Sequence, residues 1–303
     1  MYITLNEINQ KLADSGFVNE CDKKYRDKIK QTVDDILTGK PECAVILISG
    51  PSGSGKTTTA MMLEKELESR GHGTHVLSMD NYFYPLTDAE QQLAAEDKID
   101  LESPTRVDTE FLNAQLNDII ACRSVSLPKF NFVTNKREDS GKVLTRKPGE
   151  LVIMEGIHAL NPSVINIPEQ KRVGIYASVR TRVKTPDNKM IHPEYIRLIR
   201  RLHRDSVHRG RSFIETLKMY SRVQRGENMY IMPYKHFANY EFDTFVPYEL
   251  NVFKFLDFDS INKIGDTVPE LMQLLQDATP LDPKLVGKDS LLREFIGNSE
   301  FEY

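Results

Sequence analysis

The residues best suited to chemistry are those from Gly50 to Thr57, which read Gly-Pro-Ser-Gly-Ser-Gly-Lys-Thr. They fit the pattern G-x-x-x-x-G-K-[ST] at every required position. In this pattern the glycines let backbone N–H groups turn toward phosphate oxygens, the lysine reaches the β- and γ-phosphates, and the last hydroxyl binds Mg²⁺. The loop therefore predicts binding of a nucleoside triphosphate. The predicted phosphate-binding residues are Gly50, Ser52, Gly53, Ser54, Gly55, Lys56, Thr57 and Thr58.

Two carboxylates follow segments that have the pattern of buried strands. Asp80 comes directly after residues 74–79, and Glu155 ends the apolar run that begins at Leu151. Because parallel sheets place ligands beyond the carboxyl ends of their strands, we expect both side chains near the phosphates. Asp80 would accept a proton from a substrate hydroxyl or help to hold Mg²⁺, and Glu155 would be a second acid beside the metal. The plainer interpretation of Asp80 is a capping or turn residue.

An arginine-rich segment runs from Tyr195 to Ser212. Arg197, Arg201 and Arg204 recur at helical spacing and share one face, which leaves an apolar face for packing. A basic helix is commonly a solvated surface or a nucleic-acid contact. Beside a phosphate loop, however, forked guanidiniums are suited to a closing lid that neutralises charge in phosphoryl transfer. The arginines of the segment are Arg197, Arg200, Arg201, Arg204, Arg209 and Arg211, and Gly210 between the last two permits a bend.

A strand-loop-helix-strand unit is predicted around the phosphate loop. The apolar, β-branched run 44–48 is typical of a strand covered on both faces, residues 56–70 favour a helix, and residues 74–79 favour a second strand. Further strands are predicted at 151–154 and 173–177. This alternation predicts an α/β fold, a P-loop NTPase with a doubly wound, mainly parallel sheet and a helical lid. The remaining predicted helices are 88–95, 108–122, one block over 192–222, a short one at 291–296, and the polar segment 1–40.

Composition narrows the class of protein. The chain has 303 residues, 40% of them apolar, which provides ample material for a core. With 40 Lys and Arg against 44 Asp and Glu, the net charge of −4 gives no global basic field for nucleic acid or membrane. We find no bilayer-spanning run and no signal-peptide core, and the three scattered cysteines form no C-x-x-C pair. These observations predict a cytoplasmic protein with reduced thiols.

A family resemblance emerges from the order of the motifs. The chain resembles the uridine kinase/phosphoribulokinase family over about residues 44–270, and is similar to its bacterial uridine kinase-like nucleoside kinases. Those relatives often carry a threonyl-tRNA synthetase-like N-terminal region. Here only about 40 residues precede the kinase part, so we carry over no role of that region. The segments that carry the resemblance to the family are Gly50–Thr57, Asp80–Phe83, Asp100–Pro104, Leu127–Phe132, Glu155–His158 and Arg200–Asp205. The similarity to the bacterial uridine kinase-like kinases includes Arg225–Glu227, Tyr248–Leu250 and the C-terminal segment Leu292–Gly297.

The resemblance implies a role for each matching residue. It implies that Asp80 is the catalytic base and that Thr57 and Glu155 serve Mg²⁺, with Asp80 a third metal candidate. Glu102 matches an acid that holds ribose hydroxyls. The lid residues Arg204 and Arg209, with Lys56, would act on the ATP phosphates and are counted as catalytic. The implied substrate-binding residues are Glu102, Phe130, Phe132, Asn135, Arg201 and Arg211.

The sequence departs from the family where the base is recognised. Phe130 and Asn135 stand where uridine-cytidine kinases have a Tyr and a His, and Met219 stands at a position often occupied by Gln. Asn135 keeps hydrogen-bonding capacity, whereas Phe130 can only stack on a base. We therefore expect a broader or shifted base preference. His158, which lacks an evident partner, is expected to pack in a turn and not to act as a base.

The domain organisation and the activity follow as expectations. We expect a helical extension over 1–40, a P-loop kinase domain over 41–278 with its lid at about 195–225, and a C-terminal tail over 279–303 packed on it. The expected activity is ATP- and Mg²⁺-dependent phosphorylation of the 5′-hydroxyl of a nucleoside. The alternatives are another small hydroxylated metabolite as acceptor, or an RNA-associated ATP-binding module that uses the arginine helix. Whether copies associate into a homo-oligomer is left open by the sequence.

Overall fold

The computed structural model describes residues 1–96, 98–132 and 134–303. Its β-strands are β1 Tyr2–Thr4, β2 Val45–Ser49, β3 Thr74–Ser78, β4 Val125–Asn131, β5 Lys136–Leu144, β6 Leu151–Glu155, β7 Arg172–Ser178, β8 Arg182–Lys184, β9 Met190–Ile191 and β10 Tyr240–Asp243. Its α-helices are α1 Leu5–Lys11, α2 Phe17–Gly39, α3 Lys56–Ser69, α4 Asp88–Ala95, α5 Thr109–Ile120, α6 Glu194–Arg209, α7 Phe213–Gly226, α8 Glu249–Asn262, α9 Pro269–Asp277 and α10 Arg293–Ile296.

The main sheet has five parallel strands in the order β10-β7-β2-β6-β3. Its central strand β2 is buried at every residue, as its unbroken apolar sequence predicts. Val45 and Leu47 face a layer that includes α5, whereas Ile46 and Ile48 face α2 and α3. Because successive side chains of a strand point to opposite faces, one apolar strand serves both cores. The predicted α/β sheet with helices on both faces is confirmed.

The strand order places a ligand-binding edge directly after β2. This strand is the first of the sheet in the sequence, yet it pairs with β6 on one side and β7 on the other. In open parallel sheets, ligands bind beyond the carboxyl ends of the strands where the order reverses. The register sets Glu155 of β6 beside Ile48 of β2 and Ser78 of β3. The carboxylate is thus held at the same edge as the phosphate loop.

Two predictions about helices need correction. Residues 2–4 form β1, which pairs in parallel with β8, so the segment 1–40 is helical only from Leu5 onward. The single helical block predicted over 192–222 is two helices, α6 and α7. Gly210 ends α6 with a φ of +63°, a left-handed conformation that glycine adopts without strain. The bend that we expected at this glycine is therefore present.

Several strands carry no clear pattern in the sequence. The hairpin of β4 and β5 is antiparallel, and β5 consists mostly of charged and polar residues that lie at the surface. Pro128 in β4 lies at an irregularity of the pairing between β4 and β5. A proline within a segment argues against predicting it as a strand. β10 is an edge strand of four residues. These elements form because neighbouring strands supply hydrogen bonds, and not because of their own periodicity.

The terminal segments pack on the rest of the chain. α2 contributes Ile29, Val33 and Ile36 to the core beside α3. Leu292 and Phe295, near the C-terminus, are fully buried in a second core with α6, α8 and α9. Within the part of the chain that the structure describes, no helix is long and apolar enough to cross a membrane.

Candidate active site

The phosphate loop connects the end of β2 to the start of α3, and its glycines are required by its path. Gly53 and Gly55 have φ values of +76° and +83°, in the left-handed region. A Cβ at Gly50 would lie 1.9 Å from the backbone oxygen of Ala177, so no side chain fits there. The side chain of Ser54 is buried, and within the described residues its hydroxyl has no hydrogen-bond partner. A buried hydroxyl without a hydrogen-bond partner, in a loop lined by glycines, fits a loop that binds phosphate.

Helix α6 lies against this loop through its arginines. Arg197 donates from Nη1 to the backbone oxygen of Ser52 at 3.4 Å, and Arg201 donates to the Ser52 hydroxyl. Arg200 donates from Nη1 to the backbone oxygen of Gly53 at 3.2 Å. These three side chains are buried. The interpretation of this helix as a solvated surface is therefore excluded for these three arginines.

Arg200 joins the loop to α8. Its Nε and Nη2 bond the two carboxylate oxygens of Glu249 at 2.6 and 2.9 Å, and both side chains have no exposed surface. The guanidinium also lies over the ring of Phe295, 4.9 Å from its centroid. Such a buried, two-bonded pair is costly to break from one side only. The sequence placed Arg200 among the lid arginines, but the structure shows it as an anchor, and no spacing in the sequence could reveal its partner 49 residues away.

The two predicted carboxylates meet at the carboxyl edge. Ser78 donates its hydroxyl to Oε1 of Glu155 at 2.8 Å, as the register of β3 and β6 requires. Burial raises the pKa of Glu155, the Lys56 ammonium opposes the rise, and Asp80 adds to it. Burial also raises the pKa of Asp80, against the charges of Lys56 and Arg209. The two carboxylates thus repel each other in a partly desolvated site. A bound divalent cation would reduce this repulsion.

The oxygen ligands at this edge suit an Mg²⁺ ion that is also bound by the phosphates of a nucleotide. Among the described residues no group of three or more His, Cys, Asp or Glu side chains forms a metal cage. Mg²⁺ is commonly bound by one or two carboxylates together with substrate phosphates and water. Glu155, Asp80 and the hydroxyl of Thr57, the second residue of α3, are the groups that would hold it. When bound, Mg²⁺ neutralises charge that develops on the phosphates.

Glu102 forms part of the wall near Asp80. Its Cβ lies 2.4 Å from the position that a Cβ on Gly226 would take, so this wall requires glycine in α7. Burial raises the pKa of Glu102, the Arg201 guanidinium opposes the rise, and Asp80 adds to it. Glu102 therefore lies within electrostatic reach of Arg201 and Asp80, which are far from it in the sequence. A partly buried carboxylate beside an arginine can accept hydrogen bonds from neighbouring hydroxyls of a substrate.

His158 is buried next to this wall, as expected. It is 1% exposed and its ring meets the ring of Tyr230 edge to face, with centroids 6.3 Å apart. Burial lowers the pKa of His158 to about 4, so the imidazole is neutral near neutral pH. The hydroxyl of Tyr230 donates to Oδ2 of Asp100 at 3.0 Å, and Oδ1 of Asp100 accepts the N–H of Glu102 at 3.1 Å. This network orders the loop that carries Glu102.

The residues predicted to recognise a base lie on the β4–β5 hairpin. Phe130 is buried, its N–H donates to Oδ1 of Asn81 at 3.0 Å, and its ring packs on Phe132 with centroids 5.1 Å apart. Because Asn81 follows Asp80, this bond fixes the hairpin to the segment of the expected base catalyst. Phe132 is 61% exposed, and Asn135 is partly exposed in a left-handed turn with a φ of +52°. The hairpin thus presents one exposed ring and one amide near the site.

The lid arginines gather around Asp205, a residue to which the sequence analysis gave no role. Asp205 has no exposed surface. Arg204 donates to its Oδ1 from Nε and Nη2 at 3.0 and 2.8 Å, and Nη1 of Arg209 lies 3.3 Å from the same oxygen. Arg201 and Arg211 lie 3.8 and 3.9 Å from Oδ2. An acid four residues from both Arg201 and Arg209 was the available signal.

One carboxylate cannot balance four guanidiniums. The cluster of Arg201, Arg204, Arg209 and Arg211 around Asp205 carries four positive charges and one negative charge, a net charge of +3. Burial, together with the charge of Arg204, lowers the pKa of Arg201 to about 10. Although burial alone would raise it, the guanidiniums led by Arg204 hold the pKa of Asp205 below its ordinary value. The excess charge matches a polyphosphate.

The phosphate loop after a central parallel strand, and the acids beside it, define a P-loop enzyme of phosphoryl transfer. A family model described as "Phosphoribulokinase / Uridine kinase family" matches residues 45–247. The chain belongs to this family. The protein is accordingly an ATP-dependent kinase that uses Mg²⁺.

Two relatives compared by sequence agree with this assignment. A uridine kinase of Lactobacillus helveticus is 31% identical over 206 residues, which are 67% of this chain and 88% of that protein. A uridine kinase of Lactobacillus johnsonii is 30% identical over 196 residues, 64% of this chain and 83% of that protein. A solved structure described as "a Possible Uridine Kinase from Bacillus stearothermophilus" has a TM-score of 0.45 and 19% identity, and covers 73% of this chain and 100% of that one.

Proposed function

We propose that this kinase transfers a phosphoryl group from ATP to the 5′-hydroxyl of a ribonucleoside, with uridine and cytidine as the first candidates. The observation that carries the proposal is the position of Glu102, which packs against Gly226 and whose carboxylate is influenced by the charges of both Arg201 and Asp80. To bind and phosphorylate a ribose, one carboxylate must accept hydrogen bonds from neighbouring hydroxyls, and a second carboxylate close by must accept the proton of the reacting hydroxyl. Relatives named uridine kinase support the same acceptor.

Each charged group of the site has a part in the proposed reaction. Asp80 accepts the proton of the attacking hydroxyl, and its raised pKa makes it a better base than an ordinary aspartate. Lys56 draws the transferred phosphate toward the loop, while Arg204 and Arg209 neutralise the charge that spreads over its oxygens. Glu155 and Thr57 would hold Mg²⁺, which supplies further positive charge for the phosphates when bound. Phosphoryl transfer depends mainly on such positioning and charge stabilisation.

An RNA-binding role for the arginine helix receives less support. Arg197 and Arg200 are buried in pairs with Glu227 and Glu249, with N–O distances of 2.6 Å in both. A phosphate backbone would have to break these pairs before it could use the arginines. A small hydroxylated metabolite other than a nucleoside stays as the second candidate acceptor, because Phe130 offers stacking without a hydrogen bond.

The test is a panel of nucleosides and small sugars or polyols, each incubated with ATP and Mg²⁺ and analysed by product mass. We expect a mass gain of one phosphate on a ribonucleoside, and none with the matched 5′-deoxynucleoside. Asp80→Asn serves as the control for contaminating kinases. Phosphorylation of a non-nucleoside acceptor in preference to every nucleoside would contradict the proposal.

A further inference from the structure

The C-terminal segment, residues 291–303, reaches the first turn of the helix that follows the phosphate loop. The Thr58 N–H donates to Oε2 of Glu294 at 3.2 Å, and the Thr58 hydroxyl donates to the same oxygen at 2.6 Å. The hydroxyl of Tyr303 lies 3.0 Å from that of Thr58. Leu291 packs so closely on Gly55 that a Cβ there would lie 3.0 Å from its methyl carbons.

Thr58 belongs to the set of donors that a phosphate loop offers to its ligand. The first N–H groups of a helix lack intrahelical acceptors, and the helix dipole favours an anion at this end. The N–H of Thr59 is the first in α3 to find a partner within the turn, bonding the oxygen of Gly55 at 3.0 Å. The N–H of Thr58 therefore is the last one of the turn without an acceptor inside the helix, in a loop whose N–H groups cradle the α- and β-phosphates of a nucleotide.

We propose that the carboxylate of Glu294 occupies the subsite of a nucleotide phosphate at Thr58, so that Glu294 sets the affinity of the donor site by competing with ATP. Two anions cannot share one N–H and one hydroxyl without strong repulsion. The proposal concerns the donor side and does not depend on which acceptor the kinase uses. The family match ends at residue 247, so the segment lies outside the matched part of the chain.

The anchoring of the segment permits a local withdrawal of Glu294. Phe295 is fully buried and lies under Arg200, so α10 stays in place. Beyond α10 the segment is held near the surface by the pair of Lys65 with Glu300 at 2.7 Å, whose lysine side chain is 64% exposed. Exposed pairs of this kind stabilise little. Rotation of the Glu294 side chain, with release of residues 298–303, therefore frees Thr58 without unfolding the core.

Glu294 also acts on the rest of the site. Its charge is among those that raise the pKa of Glu155, after burial and Asp80, so it adds negative charge close to the expected Mg²⁺ position. Withdrawal of this charge as a nucleotide phosphate arrives offsets one of the negative charges that the nucleotide brings. The exchange of one anion for another thus limits the electrostatic cost of nucleotide binding.

The first test is the dissociation constant of ADP with Mg²⁺, measured by calorimetry on the full chain. We expect Glu294→Gln to bind ADP about tenfold more tightly than the unmodified protein, because the competing charge is gone while the shape remains. Tyr303→Phe, which loses the hydroxyl contacts with Thr58 and Ser299 but keeps Glu294, should show a smaller change in the same direction. Glu302→Gln on the same segment, whose side chain is exposed and lies outside the Lys65–Glu300 pair, is the matched control and should leave ADP affinity unchanged.

The second test follows backbone amide exchange in the unmodified protein. ADP should accelerate exchange at Glu300 and Phe301, whose N–H groups bond Lys288 and Ser299 in the closed segment. Unchanged or weaker ADP binding by folded Glu294→Gln, or slower exchange of the segment with ADP, would overturn the proposal. Failure of the unmodified protein to bind ADP would instead contradict the assignment of the phosphate loop itself.

Discussion

The phosphate loop and the arginine lid meet where Arg201 donates to the hydroxyl of Ser52, yet they are built in different ways. The loop is a continuous stretch between one strand and one helix, and its shape is fixed by left-handed glycines and by the contact of Gly50 with Ala177. The lid is a set of like charges held by a single buried carboxylate, Asp205. Backbone geometry thus preorganises one side of the site, whereas a balance of charges positions the other.

This difference predicts different responses to substitution. A residue of the loop acts through its own contact with a phosphate, so its loss should reduce turnover without disturbing its neighbours. A residue of the lid shares Asp205 with three others, so its loss should shift the positions of all of them. The effects of loop substitutions on the activation free energy should be additive with those of substitutions elsewhere. The effects of substitutions within the lid should not be additive with one another.

The largest effect is expected from Lys56→Ala in the loop. The transferred phosphate loses a charge contact that strengthens in the transition state, so turnover should be abolished. Steady-state kinetics measure this loss, and thermal unfolding serves as the control for an intact fold. Near-normal turnover by the folded variant would show that the loop does not bind the transferred phosphate.

Asp80→Asn tests the acid beside the loop. The amide keeps the shape but cannot accept the hydroxyl proton, so kcat should fall by about 10² to 10⁴ while ADP affinity largely survives. The measurement is kcat together with ADP binding by calorimetry. Loss of ADP binding with normal turnover of the bound fraction would restrict Asp80 to a role at the metal.

The lid arginines should divide into two pairs. Arg204→Ala and Arg209→Ala should each lower kcat by roughly ten- to a hundredfold with little change in the KM of the acceptor. Arg201→Ala and Arg211→Ala should raise the KM of the acceptor as well. Equal, mild effects from all four substitutions would return the cluster to the role of a charged surface.

Asp205→Asn tests most directly whether one carboxylate positions the lid arginines. It raises the net charge of the cluster from +3 to +4 by removing its one acid. We expect kcat to fall about tenfold as the arginines lose their common partner, while binding of inorganic triphosphate tightens. The double variant with Arg204→Ala should lose less than the product of the two single effects. Additive losses would show that Asp205 does not position Arg204.

The smallest effect is expected from Asn135→Ala on the hairpin, away from the loop and the lid. Its amide both donates and accepts, so it can pair with several bases. Its loss should change the ranking of nucleosides by a few fold in kcat/KM and leave kcat on the best one nearly unchanged. A strict preference for uridine and cytidine that this substitution does not alter would show that other residues recognise the base.

The sequence by itself determined the elements whose signal is local. The run 45–49 is apolar enough to be buried on both faces, and the loop 50–57 has its pattern in consecutive residues, so the central strand, the loop and α3 were predictable. The positions of Asp80 and Glu155 followed as well, because strand ends in a parallel sheet share an edge. The predicted helix 88–95 is confirmed as α4, which starts with a capping box of Thr87 and Glu90.

Only the tertiary structure decided which charges are partners. Arg200 with Glu249 and Thr58 with Glu294 are separated by 49 and 236 residues, and no spacing rule connects residues so far apart. The strands β1, β5 and β10 also escaped prediction, since their hydrogen bonds come from neighbouring strands and their sequences are short or polar. Local patterns fix the backbone near each motif, whereas the pairing of buried charges depends on where the whole chain brings them together.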